Sequence, residues 1–203
     1  LLSALAVFGA GWVVRPLGAL VFGRLGDRIG RRPTFLVTIV LMGIATIGIG
    51  ALPTYEKAGL LAPVLLVALR LLQGIAVGGE FGGAATYVAE HSAPARRGLN
   101  TSLVMGTGTL GLLLALGAIT VCRGALGEAA FEQWGWRLPF LASVLLLALS
   151  VYMRLHLAES PAFEKLQREG RVAVSPLKEA FSNREHVKAM LLALATMTAA
   201  QGV

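Results

Sequence analysis

Long apolar runs broken by short polar stretches set the pattern of this chain. Five of them reach membrane length: residues 1–22, 35–52, 60–88, 99–122 and 138–152 with its flanks. A sixth begins at 187 and continues to 203. Crossing about 30 Å of hydrocarbon takes roughly 20 apolar residues in a helix. The runs are continuous and lack the apolar/polar alternation of a barrel wall, so they predict helices. The fold class expected is an all-α membrane protein.

The polar stretches between the runs alternate in charge. Residues 23–34 carry Arg24, Arg28, Arg31 and Arg32. Residues 89–98 carry Arg96 and Arg97, and residues 154–186 carry Arg154, Lys165, Arg168, Arg171, Lys178 and Arg184. The intervening stretches hold only Lys57, Arg123 and Arg137, so 12 basic residues face one side and 3 the other. The positive-inside rule places the first group in the cytoplasm, and the first run then enters from outside. Three regions follow: a five-helix bundle at 1–157, a cytoplasmic connection at 158–186, and the start of a second bundle at 187–203. Ser160-Pro161 and Ser175-Pro176 each pair an N-cap residue with a proline suited to a first turn, which predicts two short interfacial helices in the connection.

Composition supports the same reading. Hydrophobic residues make up 56% of the 203, charged residues 14%, and the mean hydropathy is +0.72, too few charges to cover a water-soluble domain or to keep a chain disordered. A lone cysteine, Cys122, excludes a disulfide scaffold. The net charge of +7 comes from clusters at run ends rather than one continuous face, which argues against a nucleic-acid partner. The chain opens and closes inside apolar runs, with no signal-peptide pattern at its start, and reads as an internal piece of a longer polypeptide.

The most informative polar stretch is Gly23-Arg24-Leu25-Gly26-Asp27-Arg28-Ile29-Gly30-Arg31-Arg32-Pro33. Its glycines let two helix ends approach and turn, and one carboxylate stands among four guanidinium groups. Asp27 can accept paired bonds from an arginine or face a neighbouring helix N-terminus. Such a contact can hold the cytoplasmic side shut in one state and release it in another. The stretch resembles the signature between the second and third helices of major facilitator superfamily transporters, matched by Gly23, Asp27, Arg28, Gly30, Arg31 and Arg32. Arg15-Pro16-Leu17-Gly18, the run from Arg70 to Glu80, Glu90 with Arg96-Arg97-Gly98, and Trp134-Gly135-Trp136-Arg137-Leu138-Pro139-Phe140 resemble its metabolite:proton symporter branch.

That resemblance spans essentially the whole chain and implies an N-terminal bundle holding helices two to six plus the start of seven, incomplete without helix one and the second half. It also implies proton-coupled uptake of a small organic acid or zwitterionic osmolyte by a monomer in a bacterial inner membrane. The proton is then the coupling ion, and no cofactor is needed. A glycine-proline pair, usual in the fifth helix of drug/proton antiporters, is missing from the 99–122 run, which leans towards symport.

Charges inside the runs carry the expectations about a site. Arg15 lies eight residues before Gly23, and Arg70 and Glu80 sit within the 60–88 run. A charge near the bilayer centre costs roughly 2.5 to 3.5 kcal/mol, so each needs a cavity or a partner. The substrate and proton pathway is assigned to Arg15, Arg70, Glu80 and Tyr87. Arg70 or Arg15 would bind an anionic group, and Glu80 would take part in proton coupling or pair with an arginine. Glu80 and Arg70 stand about 80° apart around the helix, which disfavours a pair between them. A purely structural or gating role for these charges is the competing reading. The gate is assigned to Gly23, Asp27, Arg28, Gly30, Arg31, Arg32, Glu90 and Arg97.

Glycines at 74, 78 and 82, and at 79 and 83, predict faces on which another helix can lie. The charge-free 35–52 run reads as a scaffold helix facing lipid. Catalytic signals are weak: His91, His156 and His186 are scattered, no residues share metal-ligand spacing, and Cys122 has no adjacent base. Three alternatives stay open at this point: an efflux antiporter of the same fold, a polytopic membrane enzyme, and an inactive truncated product.

Overall fold

The computed structural model describes residues 2–171, 176, 181–182 and 184–201, with side chains described from residue 6 to 192 within those ranges and at 195. Its helices are α1 (Leu2–Val13), α2 (Arg15–Ile29), α3 (Arg31–Gly50), the short α4 (Tyr55–Ala58), α5 (Leu61–His91), α6 (Arg97–Leu126), the single turn α7 (Glu128–Ala130), α8 (Arg137–Leu155), α9 (Pro161–Arg168) and α10 (Arg184–Gln201). Among the described residues, five segments are long and apolar enough to cross a membrane: Ala6–Ile29, Arg31–Gly50, Leu61–His91, Pro94–Leu126 and Arg137–Leu155. The chain is all-helical, as the apolar runs predict.

Three differences from the sequence reading have physical causes. The first run is broken at Val14, because Pro16 has no N–H to continue the α1 ladder and instead opens α2 at its second position. The glycine-arginine stretch is almost wholly helical. Only Gly30 departs, at φ 100, a left-handed conformation that favours glycine, so the turn between two antiparallel spans occupies one residue. The third helix, charge-free from Phe35 onward, is only partly the lipid-facing scaffold expected: Val37, Val40 and Ile44 are exposed, while its other side is covered. It lies between α5 and α8 and supplies much of the core, with Phe35 and Ile49 at 3% exposure and Thr38 and Ala45 fully covered. Lipid tails and protein interior are equally apolar, so the absence of charge does not distinguish them.

Backbone proximity joins α1 and α2 to α5. A Cβ added at Gly78 would lie 2.8 Å from the Arg15 carbonyl carbon, one at Gly74 2.8 Å from that of Gly11, and one at Gly18 2.7 Å from that of Ile75. Gly79 faces the Phe22 ring and Gly83 the Phe35 ring. Gly82 is an exception to the predicted face, with nothing near its absent side chain, and Gly106, Gly108, Gly111 and Gly117 of α6 are equally open.

Antiparallel α3 and α8 are fastened at both ends. Arg137 at the start of α8 donates to the Leu52 carbonyl beyond α3 (3.0 Å), and Arg32 at the start of α3 donates to the Leu155 carbonyl that closes α8 (2.5 Å). Arg32 thereby satisfies an orphan carbonyl at the negative end of α8, and Arg137 bonds a carbonyl just past that of α3. Beyond α8, Ser160 caps α9 by accepting a hydrogen bond from the Phe163 N–H (3.3 Å), as its position before Pro161 predicts. The second short helix, expected to start at Ser175-Pro176, lies largely outside the described residues.

Candidate functional site

Two polar clusters interrupt the apolar packing. The first is a cleft of about 330 Å³ between the first span, α3 and α5. The break at Val14 sets Trp12 and Arg15 on its wall, and the Arg15 guanidinium stacks over the Trp12 ring, 3.7 Å from its centroid. Arg15 Nε is buried without a hydrogen-bond acceptor among the described residues. Across the cleft, Arg70 Nη1 donates to Gln73 Oε1 (3.1 Å), Gln73 Nε2 donates to Thr46 Oγ1 (2.8 Å), and Thr46 donates to the Met42 carbonyl (2.8 Å). This chain of bonds orients the Arg70 fork while leaving other N–H groups free for a ligand. Among the described residues no carboxylate lines the cleft, so two guanidinium charges stand there without a counter-ion. In a medium of low dielectric, two such charges attract negative charge strongly.

Of the four residues assigned to the pathway, the structure brings Arg15 and Arg70 to this cleft and leaves the other two elsewhere. Glu80 lies ten residues past Arg70, about 15 Å farther along the helix, and is ion-paired with Arg154 of α8. The Tyr87 hydroxyl donates to the Ala158 carbonyl (3.0 Å), and its ring meets Phe35 edge-on at 5.7 Å and His91 at 4.0 Å. Trp12, Thr46, Gln73 and Arg154 were not legible as site residues. Gln73 had a signal, since it follows Arg70 at the i+3 spacing that places two side chains on one helix face.

The second cluster gathers at the arginine-rich end. Arg31 pairs with Asp27 at 2.9 Å, across Gly30. The carboxylate on the N-terminus of α3, however, is not Asp27. It is Glu159, which accepts from the backbone N–H groups of Arg31 (2.8 Å) and Arg32 (3.2 Å) and from that of Ser160 (2.9 Å). Gly30 makes room for it, since a Cβ there would fall 2.9 Å from the Glu159 carboxyl carbon. Asp27 is drawn to the nearer guanidinium, and the free helix end takes the carboxylate that the chain brings back after α8.

Neighbouring bonds extend this clasp. The Ser160 hydroxyl donates to Glu90, Thr34 donates to the Gly30 carbonyl (2.8 Å), and Arg97 Nε donates to the Ser92 carbonyl (3.4 Å). Arg28 occupies the last turn of α2, and Gly23 touches nothing through its missing side chain. The segment from Arg154 to Ser160 thus crosses the ends of both α3 and α5. Replacing Glu159 with alanine uncovers the α3 N-terminus and is expected to destabilise the bundle by about 1–2 kcal/mol, the scale of a lost cap with its dipole contribution. Thermal unfolding of the full-length protein in detergent measures this. A melting temperature equal to the parent's would show that Glu159 does not hold the helix end.

The model of the Major Facilitator Superfamily matches residues 2–203. The chain is 38% identical over 198 residues to the inner membrane metabolite transport protein YhjE of Escherichia coli (strain K12), covering 98% of this chain and 44% of that protein. It is 41% identical over 175 residues to the glycine betaine/proline/ectoine/pipecolic acid transporter OusA of Dickeya dadantii (strain 3937), covering 84% of this chain and 35% of that protein. It therefore spans less than half the length of these relatives. Among solved structures, the xylose transporter XylE of E. coli in a partially occluded inward-open conformation superposes with a TM-score of 0.70 at 22% identity, covering 83% of this chain and 42% of that one, which establishes the shared fold. The similar proteins are transporters rather than enzymes, and the chain belongs to the Major Facilitator Superfamily.

Proposed function

We propose that the chain forms much of the first bundle of a secondary active transporter that takes up a small carboxylate-bearing metabolite together with protons. The bundle works by alternating access in a bacterial inner membrane, with the arginine-rich end in the cytoplasm. The observation that carries this reading is the cleft where Arg15 and Arg70 stand without a carboxylate among the described residues. A neutral sugar has no use for two unneutralised guanidinium groups, whereas an organic acid or a zwitterion offers the anionic oxygens they are built to bind. OusA, a relative at 41% identity, is named for glycine betaine, proline, ectoine and pipecolic acid, all of which bear a carboxylate. Substrate and proton together neutralise charge in the occluded form and so stabilise the intermediate through which two bundles rock.

The test is uptake by the full-length protein in proteoliposomes under an imposed proton gradient, acidic outside. A panel of mono- and dicarboxylates, betaines and neutral sugars supplies the substrates. Accumulation of at least one carboxylate, abolished by a protonophore, is expected. Uptake confined to sugars would remove the substrate class, and accumulation indifferent to the proton gradient would remove the coupling.

A further inference from the structure

We infer that Arg154 is the permanent counter-ion of Glu80, and that this pair fastens α5 to α8 in every conformation of the transporter instead of carrying the coupling proton. The second half of this inference rests on the proposed transport function; the first half does not.

Among the described residues, Glu80–Arg154 is the only ion pair whose partners lie more than five residues apart in sequence, and it links two spans. Both side chains are mostly covered, at 22% and 18% exposure. The guanidinium of Arg154 is held from a second direction as well. It lies 4.9 Å from the centroid of the Phe35 ring, which α3 buries to 3% exposure. Gly83, one turn past Glu80 on α5, makes way for that ring: a Cβ there would come within 2.8 Å of it. Tyr87 closes the far edge of Phe35. Three helices therefore converge on one guanidinium, with the carboxylate as its ionic partner and an aromatic face as its platform.

Among the described residues, the polar partner of Glu80 is Arg154. α5 packs against the first span, α3 and α6, and less against α4 and α9; α8 reaches it through the Arg154 side chain, α3 brings Phe35, and the charged residues of α6, Arg97 and Arg123, stand at that helix's two ends. The first span meets α5 through Gly11, Gly18 and Phe22, with its charged Arg15 turned onto Trp12. On α5 itself the neighbours are Gly79, Gly83 and, two turns on, Tyr87, already bonded to the Ala158 carbonyl. The cations of the cleft, Arg15 and Arg70, belong to another part of the bundle.

Location decides persistence. Glu80 and Arg154 sit on the same five-span body, so a rocking motion between two bundles leaves their separation unchanged, whereas a coupling site must meet alternate environments as the bundles move. Removing one member leaves a lone charge in apolar surroundings, which is far costlier than removing both. Arg154 also begins the segment whose next residues bond α3 and α5 through Leu155, Ala158, Glu159 and Ser160. By fixing where that segment leaves α8, the pair positions the clasp, and Arg154 is a positioning residue in this sense.

The experiment uses the full-length transporter with Glu80→Gln, Arg154→Gln, the double variant E80Q/R154Q and the exchanged variant E80R/R154E. Each is assayed for melting temperature in detergent, for proton-driven accumulation, and for counterflow exchange, which needs no net proton movement. Each single variant is expected to lower accumulation and exchange together by about tenfold or more. The double variant is expected to regain both to within about threefold, with the parent's pH profile, and melting temperatures to show the same non-additivity. A Glu80→Gln protein that exchanges normally but no longer accumulates would make Glu80 the proton carrier and overturn the inference. A double variant as impaired as the sum of the singles would also overturn it. Should the single variants fail to fold, folding of the exchanged variant supports the pair and its failure refutes it. If the parent transports no carboxylate, the function falls while the melting-temperature cycle still judges the ion pair.

Discussion

Valine at position 78 is expected to collapse the approach of α2 to α5 and to lower the yield of folded, monodisperse transporter at least about tenfold. The Cβ would sit 2.8 Å from the Arg15 carbonyl carbon, and its neighbour is backbone, which cannot rotate out of the way as a side chain can. Two added γ carbons leave the helices no choice but to separate. Overpacking of this kind costs typically 1–3 kcal/mol and more where backbone must shift, and here separation also strips the close contacts at Gly74 and Gly18. Size-exclusion profiles and melting temperature in detergent measure the effect. Gly82→Ala is the matched control, because nothing lies within 4 Å of the methyl it adds. Equal behaviour of the two variants would mean that the helices do not meet at Gly78.

The second large effect is expected at Arg70. Arg70→Gln removes one of the two cations of the cleft and the donor that anchors Gln73. A hydrogen bond to a charged partner contributes about 1.5–3 kcal/mol, so uptake of a carboxylate substrate at low concentration should fall about 10- to 100-fold. The loss belongs in the apparent affinity more than in the maximal rate where the guanidinium binds the ground state. Arg70→Lys keeps the charge but not the planar fork and is expected to retain only part of the affinity. Initial uptake rates across a range of substrate concentrations separate these cases. An unchanged half-saturating concentration for Arg70→Gln would take the residue out of the binding site.

The spans were legible because a bilayer imposes length and apolarity on every segment that crosses it, a constraint that needs no tertiary information. The turn after α2 was legible only as a glycine-arginine stretch; that it narrows to Gly30 was not, because the helices on either side run on through residues that the sequence reads as connection. The burial of α3 was not, since hydrocarbon and protein interior select the same residues. Partners distant in the chain were hidden too. Glu159 meets Arg31 across 128 positions and Arg154 meets Glu80 across 74, and no periodicity connects positions so far apart. Arg154 looked like one more member of a basic cluster because the rule that sets topology counts charges without asking where each side chain goes. Thr46 was concealed by its neighbours, one of two threonines in an apolar run, and its bond to Gln73 depends on how α3 and α5 are aligned.

The crossed arginine bonds between α3 and α8 have a mechanical consequence. With 20 and 19 residues, the two helices are each about 30 Å long, and each is pinned at its start to the other's finish. Sliding one past the other would displace both fastenings at once, so the pair behaves as a ruler of fixed length. A membrane thicker or thinner than that ruler is accommodated by leaning the whole pair, or by deforming the lipid around it, with the register inside the protein unchanged.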